Sequence, residues 1–185
     1  MDVPKLEALG DLAGRRVLVR CDFNVPLANG MITDDLRIRA AVPTLRYLID
    51  AGAHVTACSH LGRPEGAVDT AYAMTSVRAR LAELAPGVEL LENLRFDAGE
   101  TANDPAFVDQ LIEGQDAYVN DAFGASHRAH ASVVGPPRFL PSAAGRLLAR
   151  EVEVLGGLRT SARRPFVGIM GGAKVSDKLG VIEAL

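Results

Sequence analysis

Apolar residues along this chain fall into two kinds of pattern that take turns. The first is short, β-branched and nearly continuous in apolar residues: Arg16-Val17-Leu18-Val19, His54-Val55-Thr56-Ala57, Val88-Glu89-Leu90-Leu91, Asp116-Ala117-Tyr118-Val119 and Pro165-Phe166-Val167-Gly168-Ile169-Met170. Runs of this kind suit strands buried on both faces. The second has helical spacing. From Asp35 to Ala51 the residues Leu36, Ala40, Ala41, Leu45, Leu48 and Ile49 share one face ahead of Gly52, and Pro43 fits only if the helix begins just before it. Ser76 to Leu84 carries Val77, Leu81 and Leu84 and stops at Pro86-Gly87. Asn103-Asp104-Pro105 supplies a cap and a first-turn proline for a stripe of Phe107, Val108, Leu111 and Ile112 that ends at Gly114. Ser142 reads as the cap of a longer helix carrying Leu147, Leu148, Val152 and Leu155, closed by Gly156-Gly157. A last helical pattern runs from Val175 to Leu185 with no cap after it.

Strands alternating with helices predict an α/β fold, a three-layer parallel sheet with helices on both faces. At 185 residues the chain exceeds the soft prior of about 150 residues per domain, which suggests one full domain and a remainder. Hydrophobic residues at 48% and charged residues at 23% supply a real core and exclude disordered or collagen-like chains. A net charge of −3 argues against a nucleic-acid or membrane-surface protein, so any basic site must be local. No apolar run approaches the ~18 residues needed to cross a bilayer, and the start MDVPKLEALG lacks the apolar core of a signal peptide. A cytoplasmic location is expected. Cys21 and Cys58 belong to no metal-spaced cluster and are expected to be free thiols in a reducing compartment.

In open parallel sheets ligands bind beyond the carboxyl ends of the strands. The residues there are alike: Arg20-Cys21-Asp22-Phe23-Asn24, Ser59-His60-Leu61-Gly62-Arg63-Pro64, Glu92-Asn93-Leu94-Arg95-Phe96, and Asn120-Asp121-Ala122-Phe123 leading to His127-Arg128-Ala129-His130. Arg37 adds a cation at the start of the first helix. Arg37, Arg63, Arg95 and Arg128 with His60 form a convergent cationic set, and arginine suits forked recognition of phosphate and carboxylate. Asp22 and Asn24 alternate along an extended segment and can face one ligand together. The implied ligand is a small, multiply charged anion such as a hydroxy-acid phosphate. His127 and His130, with no third ligand beside them, are a weak zinc signal, and no metal site is expected there.

A second candidate is Gly171-Gly172-Ala173-Lys174-Val175-Ser176-Asp177-Lys178. It follows a predicted strand and opens a predicted helix, so free backbone N–H groups, the helix dipole and two lysines converge as a phosphate site. It is neither a Walker A loop nor a dinucleotide fingerprint.

Taken together, these residues resemble the phosphoglycerate kinase family. Seven blocks match in order: Arg16 to Pro26, Asp35-Leu36-Arg37-Ile38, Ser59 to Pro64, Leu91 to Phe96, Asn120 to Gly124, His127 to His130, and Gly171 to Lys178. The resemblance implies two domains joined by a helix: a Rossmann-like N-terminal domain for 3-phosphoglycerate or 1,3-bisphosphoglycerate, and a C-terminal domain for ADP or ATP with Mg2+. It implies reversible phosphoryl transfer between 1,3-bisphosphoglycerate and ADP in glycolysis, with hinge-bending closure. Carried over by motif, Asp22, Phe23, Asn24, Arg37, His60, Leu61, Gly62, Arg63, Arg95 and Arg128 correspond to substrate residues. Arg37 and Lys174 correspond to the groups that stabilise the phosphoryl in flight, and Gly171, Gly172, Lys174 and Lys178 to the nucleotide phosphate site. This agrees with phosphoryl-transfer physics, in which positioned cations carry most of the catalysis.

Two departures qualify the resemblance. Between the Ser76 to Leu84 helix and the Leu91 to Phe96 block, only a Pro-Gly turn and a short strand stand where family members carry a further strand and helix. The sequence also reaches only one strand and one helix into the nucleotide domain, so the magnesium ligands are expected beyond it. The implied organisation is a substrate domain over 1–141, a linker helix over 142–158 and an incomplete nucleotide domain over 159–185. A monomeric chain of this kind is expected to bind the acid phosphate without transferring phosphate. The alternatives are a non-catalytic phosphate or carboxylate module and a sugar-phosphate enzyme on a similar sheet.

Overall fold

In the computed structural model, residues 3–169 and Gly180 are described. The chain divides into two compact units, one over Asp2–Ala149 and one over Arg150–Leu185. The first is built on a sheet of five strands: β1 Arg16–Arg20, β4 His54–Cys58, β5 Glu89–Leu90, β6 Ala117–Asn120 and β7 Ser142–Ala144. Their order is β5-β4-β1-β6-β7 and every pairing is parallel. A separate antiparallel hairpin pairs β2 Leu27–Ala28 with β3 Met31–Ile32. It turns on Asn29 and Gly30, both at positive φ, the geometry that favours an Asn-Gly pair. That dipeptide is the signal by which the hairpin could have been read from the sequence.

The pleat sorts the core into two faces. Val17, Val19, Val55, Ala57, Ala117 and Val119 pack into one cluster with residues of α1 Leu36–Asp50 and α2 Thr75–Leu84, such as Ile38, Leu45, Leu48, Val77 and Leu81. The intervening residues Leu18, Cys58 and Tyr118 face the other way, onto Leu94 and Leu111, the latter on α4 Pro105–Ile112. Alternate strand residues thus serve two apolar layers, which is why the strands read as continuous apolar runs. The expected three-layer parallel sheet is the fold.

Register positions the site. Arg20 lies opposite both Cys58 and Asn120, and Asn120 lies opposite Ala144, so the carboxyl ends of these strands are level. The chain leaves β1 toward β4 on one side of the sheet and leaves β6 toward β7 on the other. The ends of β1 and β6 are therefore the switch point at which α/β sheets open a crevice.

Several elements differ from the sequence expectation. Pro43 lies inside α1, seven residues past its start, rather than near its beginning. An interior proline costs a helix about 3 kcal/mol. Here it sits on the exposed side, while Ile38, Ala41, Thr44, Leu45 and Leu48 bury the opposite side along the whole length. Ser142 does not cap a helix; it opens β7, and helix α6 runs over Arg146–Ser161. Gly145 stands between the strand and the helix, where a Cβ would collide with the Asp121 carboxylate. That carboxylate caps the helix from a distance. Its Oδ1 accepts from the backbone N–H of Leu147 (2.9 Å) and Leu148 (3.2 Å), while Thr44 Oγ1 accepts from Arg146 N–H (2.9 Å). Gly156-Gly157 does not close the helix either; both residues are helical, and the Thr160 and Ser161 hydroxyls bond back to their carbonyls.

Residues 150–161 of α6 belong to the second unit. The strand expected over Pro165 to Met170 is absent across 166–169, where no described segment pairs with the chain and Val167 and Ile169 are 77% and 95% exposed. A strand exists only by pairing, so apolar composition alone did not make one. Met170, the Gly171 to Lys178 phosphate segment and the Val175 to Leu185 helix lie outside the described residues, Gly180 excepted.

Candidate functional site

At the centre of the crevice is a charge that the sequence reading left out. Arg20 ends β1 and is 1% exposed. Its guanidinium donates from Nε to Ser132 Oγ (2.8 Å), from Nη1 to the Cys21 carbonyl and from Nη2 to His60 Nδ1 (3.1 Å), and Glu100 lies 3.9 Å away. Glu100, fully buried on the short helix α3 Ala98–Ala102, accepts from Ser132 N–H (2.9 Å) and Ser132 Oγ (2.7 Å) and faces His130 Nδ1 at 3.6 Å. Ser132 belongs to α5 Ala131–Val134, whose Ser132 carbonyl accepts from the buried Tyr118 hydroxyl. One buried ion pair therefore ties β1, the loop after β4, α3 and the segment after β6. A charge closing an apolar strand was the available signal for Arg20. Glu100 gave none, because Asp97-Ala98-Gly99-Glu100 reads as a solvated turn.

Around this core the strand-end loops carry the predicted arginines. Arg63 from the loop after β4, Arg95 from the turn after β5 and Arg128 from the loop after β6 line one pocket of about 350 Å3, together with Glu65, Gly66 and Thr101. Arg95 is 8% exposed; Nη1 donates to the Gly62 carbonyl at 2.7 Å, and Nε is buried without a partner among the described residues. Burial lowers its pKa, and repulsion from Arg128 and Arg20 adds to this. Arg63 and Arg128 are exposed. Arg37 does not line this pocket. It makes a 2.6 Å ion pair with Asp22 Oδ2, its own side chain half exposed.

The remaining predicted residues hold the loops. Asn24 Oδ1 accepts from Gly62 N–H (2.9 Å), and Asn93 accepts from Leu61 N–H while donating to the Leu61 and Tyr72 carbonyls. Gly62 has φ +61°, and a Cβ there would run into the Tyr72 ring. Phe23 and Leu61 differ from expectation: both side chains are buried in the core, and the Phe23 N–H is taken by Ser59 Oγ at 2.8 Å. They are scaffold rather than surface, because alternate positions of a loop leaving a two-sided sheet point inward. His60 also differs, in charge. Burial, with Arg20 and Arg95 beside it, pushes its pKa from 6.5 down to about 3, so it is not one of the cations. His127 is exposed, and among the described residues no group of three His, Cys, Asp or Glu side chains gathers as a metal site.

A larger cavity of about 690 Å3 lies between the β2–β3 hairpin, α1 and α2. Its charges answer one another, Arg80 bonding Asp35 and Glu83, and Arg39 bonding Asp35, so it offers no free cation cluster.

The sequence model of phosphoglycerate kinase matches residues 6–90 and 84–185 of this chain. The chain belongs to the phosphoglycerate kinase family. Phosphoglycerate kinase of Rubrobacter xylanophilus is 53% identical over 198 residues, covering 95% of this chain and 50% of that protein. The relative of the same name from Salinispora arenicola is 53% identical over 205 residues, covering 95% and 51%. Among solved structures, phosphoglycerate kinase from Coxiella burnetii superposes with a TM-score of 0.89 at 34% identity, covering 98% of this chain and 51% of its own. The Pyrococcus horikoshii phosphoglycerate kinase does so with a TM-score of 0.86 at 32% identity, covering 97% and 51%. The chain thus spans about half the length of these phosphoglycerate kinases. The family match falls into two pieces that overlap at residues 84–90, from the end of α2 to β5, the stretch in which the sequence analysis expects a missing strand and helix.

Proposed function

We propose that this chain carries the acid-phosphate half-site of phosphoglycerate kinase, binding 3-phosphoglycerate or 1,3-bisphosphoglycerate for reversible phosphoryl transfer with ADP and ATP in glycolysis. The observation that carries this reading is the convergence of Arg63, Arg95 and Arg128 from three strand-end loops on one pocket, with the Arg95 Nε buried and unpartnered. A small polyanion supplies the missing acceptor and relieves the repulsion among the guanidiniums. Asp22, the Arg37 that pairs with it, Asn24 and the Gly62 it bonds are read as further substrate contacts, and His60 as a neutral donor. Phe23 and Leu61 contribute by packing.

In this reading Arg37 and Lys174 stabilise charge on the phosphoryl group in flight, and Gly171, Gly172, Lys174 and Lys178 hold nucleotide phosphate. Magnesium arrives with the nucleotide, and no described residue is assigned to it. Residues 1–141 form the substrate domain, the helix after β7 leads out of it, and the segment from 159 onward begins the nucleotide domain. The protein works as a cytoplasmic monomer. Transfer itself needs donor and acceptor held in line, so acid-phosphate binding is the step on which the 185-residue chain is to be judged. A non-catalytic anion module has no observation in its favour.

Calorimetric titration with 3-phosphoglycerate, beside inorganic phosphate and an Arg37→Ala/Arg128→Ala variant, tests the reading. Saturable binding tighter than that of phosphate, lost in the variant, is expected. Binding no tighter than phosphate, or unchanged in the variant, would overturn it.

A further inference from the structure

We infer that His60 meets its ligand as a neutral imidazole with its proton on Nε2, and that Arg20 is the positioning residue that fixes this tautomer. His60 Nδ1 lies 3.1 Å from Arg20 Nη2. A guanidinium has five donors and no acceptor and stays charged in proteins, so Nδ1 must be the acceptor and cannot carry a proton. The one remaining place for the proton of a neutral ring is Nε2, which has no partner among the described residues and is left as a free donor. Imidazolium would set N–H against N–H.

The surroundings enforce the same state. The ring is buried, and the charges that act on it are those of Arg20 from β1, Arg95 from the turn after β5, Asp22 from the loop after β1 and His130 from the segment before α5. Asp22 is the only anion among them and is already paired with Arg37. Arg20 cannot turn away, because Ser132 Oγ, the Cys21 carbonyl and the fully buried Glu100 hold its other donors. Glu100 thus acts on the ring at one remove, through the guanidinium.

The consequence for function rests on the acid-phosphate reading. His60 offers an oxygen of the ligand a hydrogen bond without a charge, and the attraction for a polyanion is left to the arginines. A neutral donor is served by a ligand oxygen of either charge, so affinity does not follow a histidine titration.

The test is the 15N spectrum of the four histidine rings in the ligand-free 185-residue chain, with His60 assigned by its loss in His60→Gln. Nδ1 unprotonated, Nε2 protonated and no change from about pH 5 to 8 are expected. A ring that titrates in that interval, or that carries its proton on Nδ1, overturns the inference. An Arg20→Met/Glu100→Gln variant removes both buried charges together, and its His60 ring is expected to show mixed tautomers or to titrate. Arg20→Lys keeps a donor without an acceptor and is expected to retain the wild-type signature. A folded double variant with the wild-type signature, or a folded lysine variant without it, overturns the role of Arg20. Because the rings are read without ligand, failure of 3-phosphoglycerate to bind would strike the functional reading and leave this one standing.

Discussion

Burial of His60 beside Arg20 and Arg95 makes it a source of acid instability. In the unfolded chain it titrates near 6.5, in the folded chain near about 3. Above about pH 6.5 both states are neutral and the group contributes no pH dependence. Below it the unfolded state holds one more proton than the folded state, so stability falls as the pH falls, by about 1.4 kcal/mol per pH unit for one proton. His130, lowered chiefly by burial, acts in the same direction. Urea unfolding from pH 7 to 5 is therefore expected to lose about 2 kcal/mol through His60 alone, and His60→Gln should flatten the profile by about one proton. Equal slopes in the two proteins would mean that the ring is not held neutral. Much of this was illegible in the sequence. Arg63, Arg95 and Arg128 could be read as a set because each follows an apolar run. The charge state of His60 could not, because it depends on Arg20 forty positions away and on how far the loop sinks.

Elements tell the same story through their ends. The cores of β1, β4, β5, β6, α1, α2 and α4 were readable because apolar runs and helical spacing are local properties, whereas β7, the β2–β3 hairpin and the short helices α3 and α5 were not. The boundaries that moved are those set by distant partners. β7 is a strand because Ser142, Ala143 and Ala144 pair with β6, and α6 starts where Asp121 and Thr44 can reach its first N–H groups. Nothing in Ser142-Ala143-Ala144-Gly145-Arg146 announces a cap supplied by residue 121. The Asp121 carboxylate is buried, which raises its pKa, and the Thr44 hydroxyl together with the N–H groups of Leu148 and Leu147 counters that cost. Asp121→Ala removes both N–H bonds and is expected to lower unfolding stability by about 1–2 kcal/mol, the usual worth of an N-cap. Far-ultraviolet circular dichroism should show little change in helix content, since the rest of α6 keeps its own hydrogen bonds. A stability equal to wild type in urea would show that the cap is not what starts the helix.

The whole molecule carries a net charge of −3, yet its level strand ends gather cations within one crevice. Local concentration of like charge against the global sign costs stability and is the mark of a site prepared for an anion. Arg95 shows the cost most clearly, since its pKa falls through burial and through its neighbours Arg128, Arg20 and Arg63. A bound polyanion removes that cost in the folded state and has nothing comparable to bind in the unfolded one. Free 3-phosphoglycerate at 100 times its dissociation constant is then expected to add about 2.7 kcal/mol, or about 5–10 °C in thermal midpoint for a unit of this size. Salt screens the exposed Arg63 and Arg128 more than the buried Arg95. Raising ionic strength should therefore stabilise the free chain slightly and shrink the shift caused by the ligand, two effects of opposite sign from one cause. Thermal unfolding with and without 3-phosphoglycerate, at low and at high salt, reads both. In Arg128→Ala the free protein should melt at or above the wild-type temperature while its ligand shift falls. A free variant that melts well below wild type would place Arg128 in the scaffold and remove it from the anion site.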